Sequence, residues 1–189
     1  MNTNSAKRFF ARINGGLHEQ ALWLYMLIVL GHWLEHIAQV YQVYILGWVP
    51  AKAGGALGLV APGLAMAEVL HFGYNLFLIG GIVLLRPGFA GRSRFWWNLA
   101  LLAQGWHFFE HILLQAQYLT GHYLFGASMQ ISILQQWFPR VELHFMYNLI
   151  VFLPLLIGVL YHFYPPPNEP VNERCTCNQL RSHRQTVGS

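Results

Sequence analysis

Eight residues of chemistry-bearing type recur at fixed spacing in this chain. His32, Glu35 and His36 stand together in one apolar stretch, as His32-Trp33-Leu34-Glu35-His36. His107, Glu110 and His111 stand in another, as His107-Phe108-Phe109-Glu110-His111. Each set is followed, in the next apolar stretch, by a histidine with a shared pattern of neighbours: His71-Phe72-Gly73-Tyr74-Asn75 and His144-Phe145-Met146-Tyr147-Asn148. Ionisable groups within hydrocarbon are costly unless partnered, so such residues are candidates for function. On a helix that turns about 100° per residue, His36 falls about 40° from His32, and Glu35 about 60° to its other side. All three therefore share one face, as do His107, Glu110 and His111.

Two histidines one turn apart on one helix, with a third from the neighbouring helix, make a three-imidazole ligand set. The pattern supplies two such sets, His32, His36 and His71, and His107, His111 and His144, with Glu35 and Glu110 as further ligands or bridges. The expectation is two non-haem metal ions, iron foremost, with zinc, manganese or copper as other candidates. Mixed imidazole and carboxylate donors favour iron, manganese or zinc over the sulfur-seeking cuprous ion, and helical bundles hold dinuclear centres in this way. Gln39, Gln42, Tyr74, Asn75, Gln117, Tyr147 and Asn148 are the expected partners that orient the imidazoles. Redox chemistry on an apolar substrate, such as a quinone, a lipid or a hydrocarbon, is the enzymatic use that fits. Three alternatives stay open. One is haem b or a pigment, held by one histidine from each of two helices in an electron-transfer or accessory subunit of a larger membrane complex. Another is a polar network that joins helices without metal. A metal or proton conduit is the third, and the apolar run from Trp23 to Leu30 argues against a continuous polar path.

The paired boxes, His32 to His36 and His107 to His111, resemble the histidine boxes of integral-membrane di-iron hydroxylases and desaturases. They depart from that pattern by carrying Glu at the fourth position. The resemblance implies oxygen activation for hydroxylation or desaturation of an apolar substrate.

The elements that must position these residues follow from composition. The 189 residues are 55% hydrophobic and 10% charged, with no Asp; soluble domains are about 25% charged. Four stretches approach the roughly 20 apolar residues that a spanning helix needs, near 20–46, 66–85, 95–120 and 141–163. The predicted fold class is all-α: an integral membrane four-helix bundle, up-down-up-down, over residues 1–164. It is built from two pseudo-symmetric hairpins, about 20–85 and 95–163. Nine of the eleven basic residues fall before the first span, between the second and third, or in the tail; Lys52 and Arg140 are the exceptions. The positive-inside rule then places both termini in the cytoplasm, with the protein in the cytoplasmic membrane. The histidines are expected toward the outer half of the bundle, and the connection from Gly126 to Phe138 is expected to hold a short interfacial helix.

The partners expected are the lipid bilayer and membrane-complex subunits or a redox partner. The sequence pI of about 9.3 reflects topology signals, and no nucleic-acid partner is expected. Residues 165–189, opening with three prolines, read as a polar, disordered cytoplasmic tail. Cys175 and Cys177 read as reduced tail thiols. His18, His162 and His183 read as lone flanking residues. Glu68 stands three residues before His71 but has Val141 at the matching position of the second hairpin, so symmetry sets it aside.

Overall fold

The computed structural model describes residues 3–65, 67–173 and 175–177. It is helical, with no strand among the described residues. Among the described residues seven α-helices follow one another: α1 (Thr3–Ile13), α2 (His18–Tyr44), α3 (Gly55–Val60), α4 (Pro62–Ala65), α5 (Glu68–Leu85), α6 (Gly91–Thr120) and α7 (Arg140–Phe163). Short 3-10 turns lie at Pro50–Lys52, Arg86–Gly88, Leu124–Gly126 and Leu134–Gln136.

Three segments are long and apolar enough to cross a membrane: His18–Tyr44, Glu68–Gly88 and Arg140–Phe163. The stretch expected to span at 95–120 lies within the 30-residue α6. That helix has the length, but its apolar character is diluted by Arg92 and Arg94 at its start and by Gln104, His107, Glu110, His111 and Gln117 along it. Among the described residues, four helices of 18 residues or more overlie the four expected stretches, three of them apolar enough to span, and α1, α3 and α4 are additional. The short helix expected between Gly126 and Phe138 is only the 3-10 turn at Leu134–Gln136; true helical turns form instead in the first connection, as α3 and α4. Pro139 marks the start of α7, where a missing amide hydrogen does no harm, and its carbonyl accepts from Leu143 N at 3.0 Å. Pro154 lies inside α7, a placement that membrane helices tolerate.

The chain forms two compact units, each fed by stretches of all four long helices. One comprises Met1–Ile28, Gly80–Leu101 and Leu153–Ser189. Its core holds Leu22, Ile82, Leu85, Phe89, Trp97, Ala100 and Leu155, all almost fully buried. Phe89 stacks on Trp97 with ring centroids 4.0 Å apart, and Trp97 Nε1 donates to Ile82 O at 2.8 Å. The described residues beyond Tyr164 stay with this unit. Glu169 pairs with Arg92 at 2.8 Å, Thr176 N donates to Gly15 O at 3.3 Å, and Cys175 and Cys177 are buried. The disordered tail expected from residue 165 thus differs from the structure as far as Cys177; residues 178–189 lie outside the described residues.

The other unit comprises Val29–Ile79 and Leu102–Phe152. Its interior is rich in polar groups: His36, Gln42, Glu68, Asn75, Gln104, His107, Glu110, His111, Gln117, His144 and Asn148 are all buried. Its surface carries Leu34, Leu102, Leu119 and Met146 exposed. That is the reverse of a water-soluble domain, and it places every candidate ligand inside one unit.

Candidate metal centre

His107 and His111 of α6 and His144 of α7 each offer one nitrogen, and these nitrogens lie within 4.8 Å of one another with all three residues buried. The reason is helical: His107 and His111 are one turn apart on one face, and α7 presents His144 to that face. His107 Nε2 and His111 Nε2 are 3.1 Å apart. The matching pair on α2, His32 Nε2 and His36 Nε2, is 3.0 Å apart. Nitrogens this close share either one proton or one ion. Metal–nitrogen bonds of about 2.0–2.1 Å put adjacent ligands about 3 Å apart and opposed ligands about 4.1 Å apart. The observed pairs are spaced as neighbouring positions on one ion would be.

The six histidines form one connected cluster rather than two separate triads. His144 has ring centroids 5.3 Å from His111, 5.8 Å from His107, 5.9 Å from His36 and 6.2 Å from His71. Of the two expected sets, His107, His111 and His144 come together. His71 lies instead beside His111, at 6.3 Å, and beside His144.

Acceptors around the cluster fix which nitrogen carries the hydrogen. His36 Nδ1 faces Gln39 Oε1 at 2.8 Å, His71 Nδ1 faces Ala67 O at 3.1 Å, His144 Nδ1 faces Arg140 O at 3.0 Å, and His111 Nδ1 faces Glu68 Oε1 at 3.3 Å. Each of these oxygens can accept and, as carbonyl or carboxylate, cannot donate. The four Nδ1 atoms are therefore donors, and the four Nε2 atoms carry lone pairs. This is the tautomer a metal ligand needs, oriented in the usual way by a partner on the other nitrogen. His144 Nε2 is buried and has no hydrogen-bond partner. A buried acceptor left so is unfavourable by about 1–3 kcal/mol, which an ion would relieve.

The two glutamates expected as ligands have other partners. Glu35 accepts from Leu57 N, at 3.1 Å to Oε2 and 3.3 Å to Oε1, and so caps α3. Glu110 accepts from Leu134 N at 2.9 Å and from the Tyr147 hydroxyl at 2.7 Å. The carboxylate that does reach an imidazole is Glu68, buried, hydrogen-bonded to His111 and ion-paired with Arg140 at 2.6 Å. Its one-turn spacing from His71 is the sequence signal that pointed to it.

The expected orienting residues divide. Tyr74 stacks on His32, with centroids 3.6 Å apart, and Tyr147 on His107 at 4.6 Å. Asn75 and Asn148 donate to the carbonyls of His71 and His144, at 2.9 and 2.8 Å, bracing the backbone that bears each imidazole. Gln42 and Gln117 hold connections instead. Gln42 bonds both the N–H and the carbonyl of Gly55, each at 2.9 Å. Gln117 accepts from Leu124 N and donates to Ile131 O. Gln39 orients an imidazole directly, at His36, and Arg140 is the partner that sequence reasoning did not place.

A cavity of about 360 Å³ reaches the cluster at His36, His71 and His144. Its other walls include Pro50, Ala53, Ala65, Val141 and the exposed Met129. No protein-family model, curated protein or solved structure matches the chain.

Proposed function

We propose that this is an integral membrane metalloprotein whose buried imidazole cluster holds a non-haem metal centre. The observation that carries this reading is His144 Nε2, a buried lone pair without a partner on a residue grouped within 4.8 Å with His107 and His111. These three bind one ion. The pair His32 and His36, 3.0 Å apart, is the seat of the second ion of a dinuclear centre. Imidazole donors without sulfur suit iron, zinc or copper, and iron serves the redox use. Glu68 orients His111, while Glu35 and Glu110 anchor the connections beside the site.

The large apolar side chains exposed along α2, α5, α6 and α7, among them Leu27, Val83, Leu102 and Leu160, support lipid as the surrounding medium. The distribution of basic residues supports a bundle that runs up-down-up-down with both termini cytoplasmic. Matched bonds support a repeat of two hairpins. Glu35 to Leu57 N answers Glu110 to Leu134 N, the imidazole pair of α2 answers that of α6, and Asn75 answers Asn148. The cavity at His36, His71 and His144, walled by alanine, proline, valine and methionine, falls in the volume range of small-molecule sites. It has room for an apolar substrate beside the metal, where redox chemistry would take place.

His144→Ala is expected to lose most bound metal from the detergent-purified protein, while His122→Ala, at an exposed residue, keeps it. Metal analysis of the two variants tests this. Equal metal content in both would remove the central triad from the account.

A further inference from the structure

A second cluster of ligand type lies in the other unit, among residues that sequence reading leaves as lone flanking histidines and a tail thiol. His18 at the start of α2, His162 near the end of α7 and Cys175 of the C-terminal segment are all buried, and their ligand atoms lie within 4.8 Å of one another. Cys175 Sγ is 3.4 Å from His162 Nε2, and the rings of His18 and His162 are 5.1 Å apart.

Three further observations point to a ligand. His18 Nδ1 faces Ile13 O at 3.2 Å, so it carries the hydrogen and leaves the lone pair on Nε2. That Nε2 is buried without a hydrogen-bond partner, on a residue 0% exposed. Gly88 makes room for the ring: a β-carbon there would collide with the His18 imidazole. The neighbourhood also holds Gly88 in place, because Asn14 Oδ1 accepts from Gly88 N at 3.0 Å.

We propose that His18, His162 and Cys175 form a second metal site, a His2Cys centre of the zinc class that fastens the C-terminal segment to α2 and α7. Tetrahedral zinc with bonds of about 2.0–2.1 Å to nitrogen and 2.3 Å to sulfur sets nitrogen and sulfur about 3.6 Å apart. The Cys175–His162 separation of 3.4 Å already approaches this. The site differs in donor chemistry from the imidazole cluster, which contains no sulfur, and does not depend on that cluster holding metal.

The difference supplies the test. Detergent-purified full-length chain, stripped of metal, is titrated with Co²⁺ as a coloured substitute for zinc. The expected result is a thiolate-to-cobalt charge-transfer absorption, which imidazoles and carboxylates alone do not produce. It persists in His144→Ala, is lost in Cys175→Ala, and needs well over about 100-fold more Co²⁺ in His18→Ala or His162→Ala, since even an outer partner of a ligand is worth 10–100-fold. Absence of the band from the folded wild-type chain would overturn the proposal. So would its full retention in Cys175→Ala, or unchanged Co²⁺ affinity in both histidine variants.

Discussion

The direction of each imidazole decides what the cluster can do, and that direction is set by single oxygens. His111 depends on Glu68, whose second oxygen is held by Arg140 at 2.6 Å. Glu68→Gln should therefore weaken metal binding about 10–100-fold, the usual effect of losing a partner that orients a ligand. Glu35→Gln should leave metal affinity unchanged and shift the thermal midpoint little, because the amide oxygen that remains can still accept from Leu57 N. Metal titration and thermal unfolding in detergent, run on both variants, separate the roles; an affinity loss in Glu35→Gln larger than in Glu68→Gln would reverse them. The same contrast shows what the sequence makes legible at this scale. Helical spacing correctly places His107 and His111 on one face and pairs them with His144. It also places Glu35 and Glu110 beside the histidines, but it cannot show that backbone amides 22 and 24 residues away claim those carboxylates. Glu68 meets His111 across 43 residues of sequence, a pairing that repeat symmetry hides because Val141 stands at the matching position.

At the scale of elements, the long helices were readable and the connections were not. Apolar runs announce α2, α5 and α7, since a membrane-length run of low charge has few other structural uses. The polar residues that make α6 the ligand-bearing helix are the ones that weaken its apolar signal. The first connection takes its form from two side chains of α2. Gln42 grips Gly55 at both backbone groups, and Glu35 caps α3. Gly55 has φ +70°, and a β-carbon there would collide with the Glu35 carboxylate. Gly55→Ala should be destabilising by about 1–2 kcal/mol from the left-handed backbone alone, and more from displacing Glu35. Gly63→Ala, with open space around it, is the control. Thermal midpoints of the two variants check this, and equal midpoints would show that the connection does not need the clamp. The C-terminal segment escaped sequence reading for a related reason. Its prolines and polar residues look unstructured, while its anchors, Cys175 with His18 and His162, are distant in sequence.

For the whole molecule, one chain carries two buried ligand clusters of different donor chemistry, a nitrogen cluster in one unit and a nitrogen–sulfur cluster in the other. Buried polar interiors beneath apolar surfaces fit a protein whose solvent is lipid, where ionisable groups are retained only with partners. The central claim is that the imidazole cluster binds metal without haem. The most direct measurement is the metal content and absorption spectrum of the detergent-purified Cys175→Ala variant, in which the sulfur-containing site is disabled and the six-histidine cluster is intact. Non-haem metal is expected to be retained in stoichiometric amount, with no Soret band. A folded variant that holds no metal, or one whose iron comes with a Soret band, would contradict it.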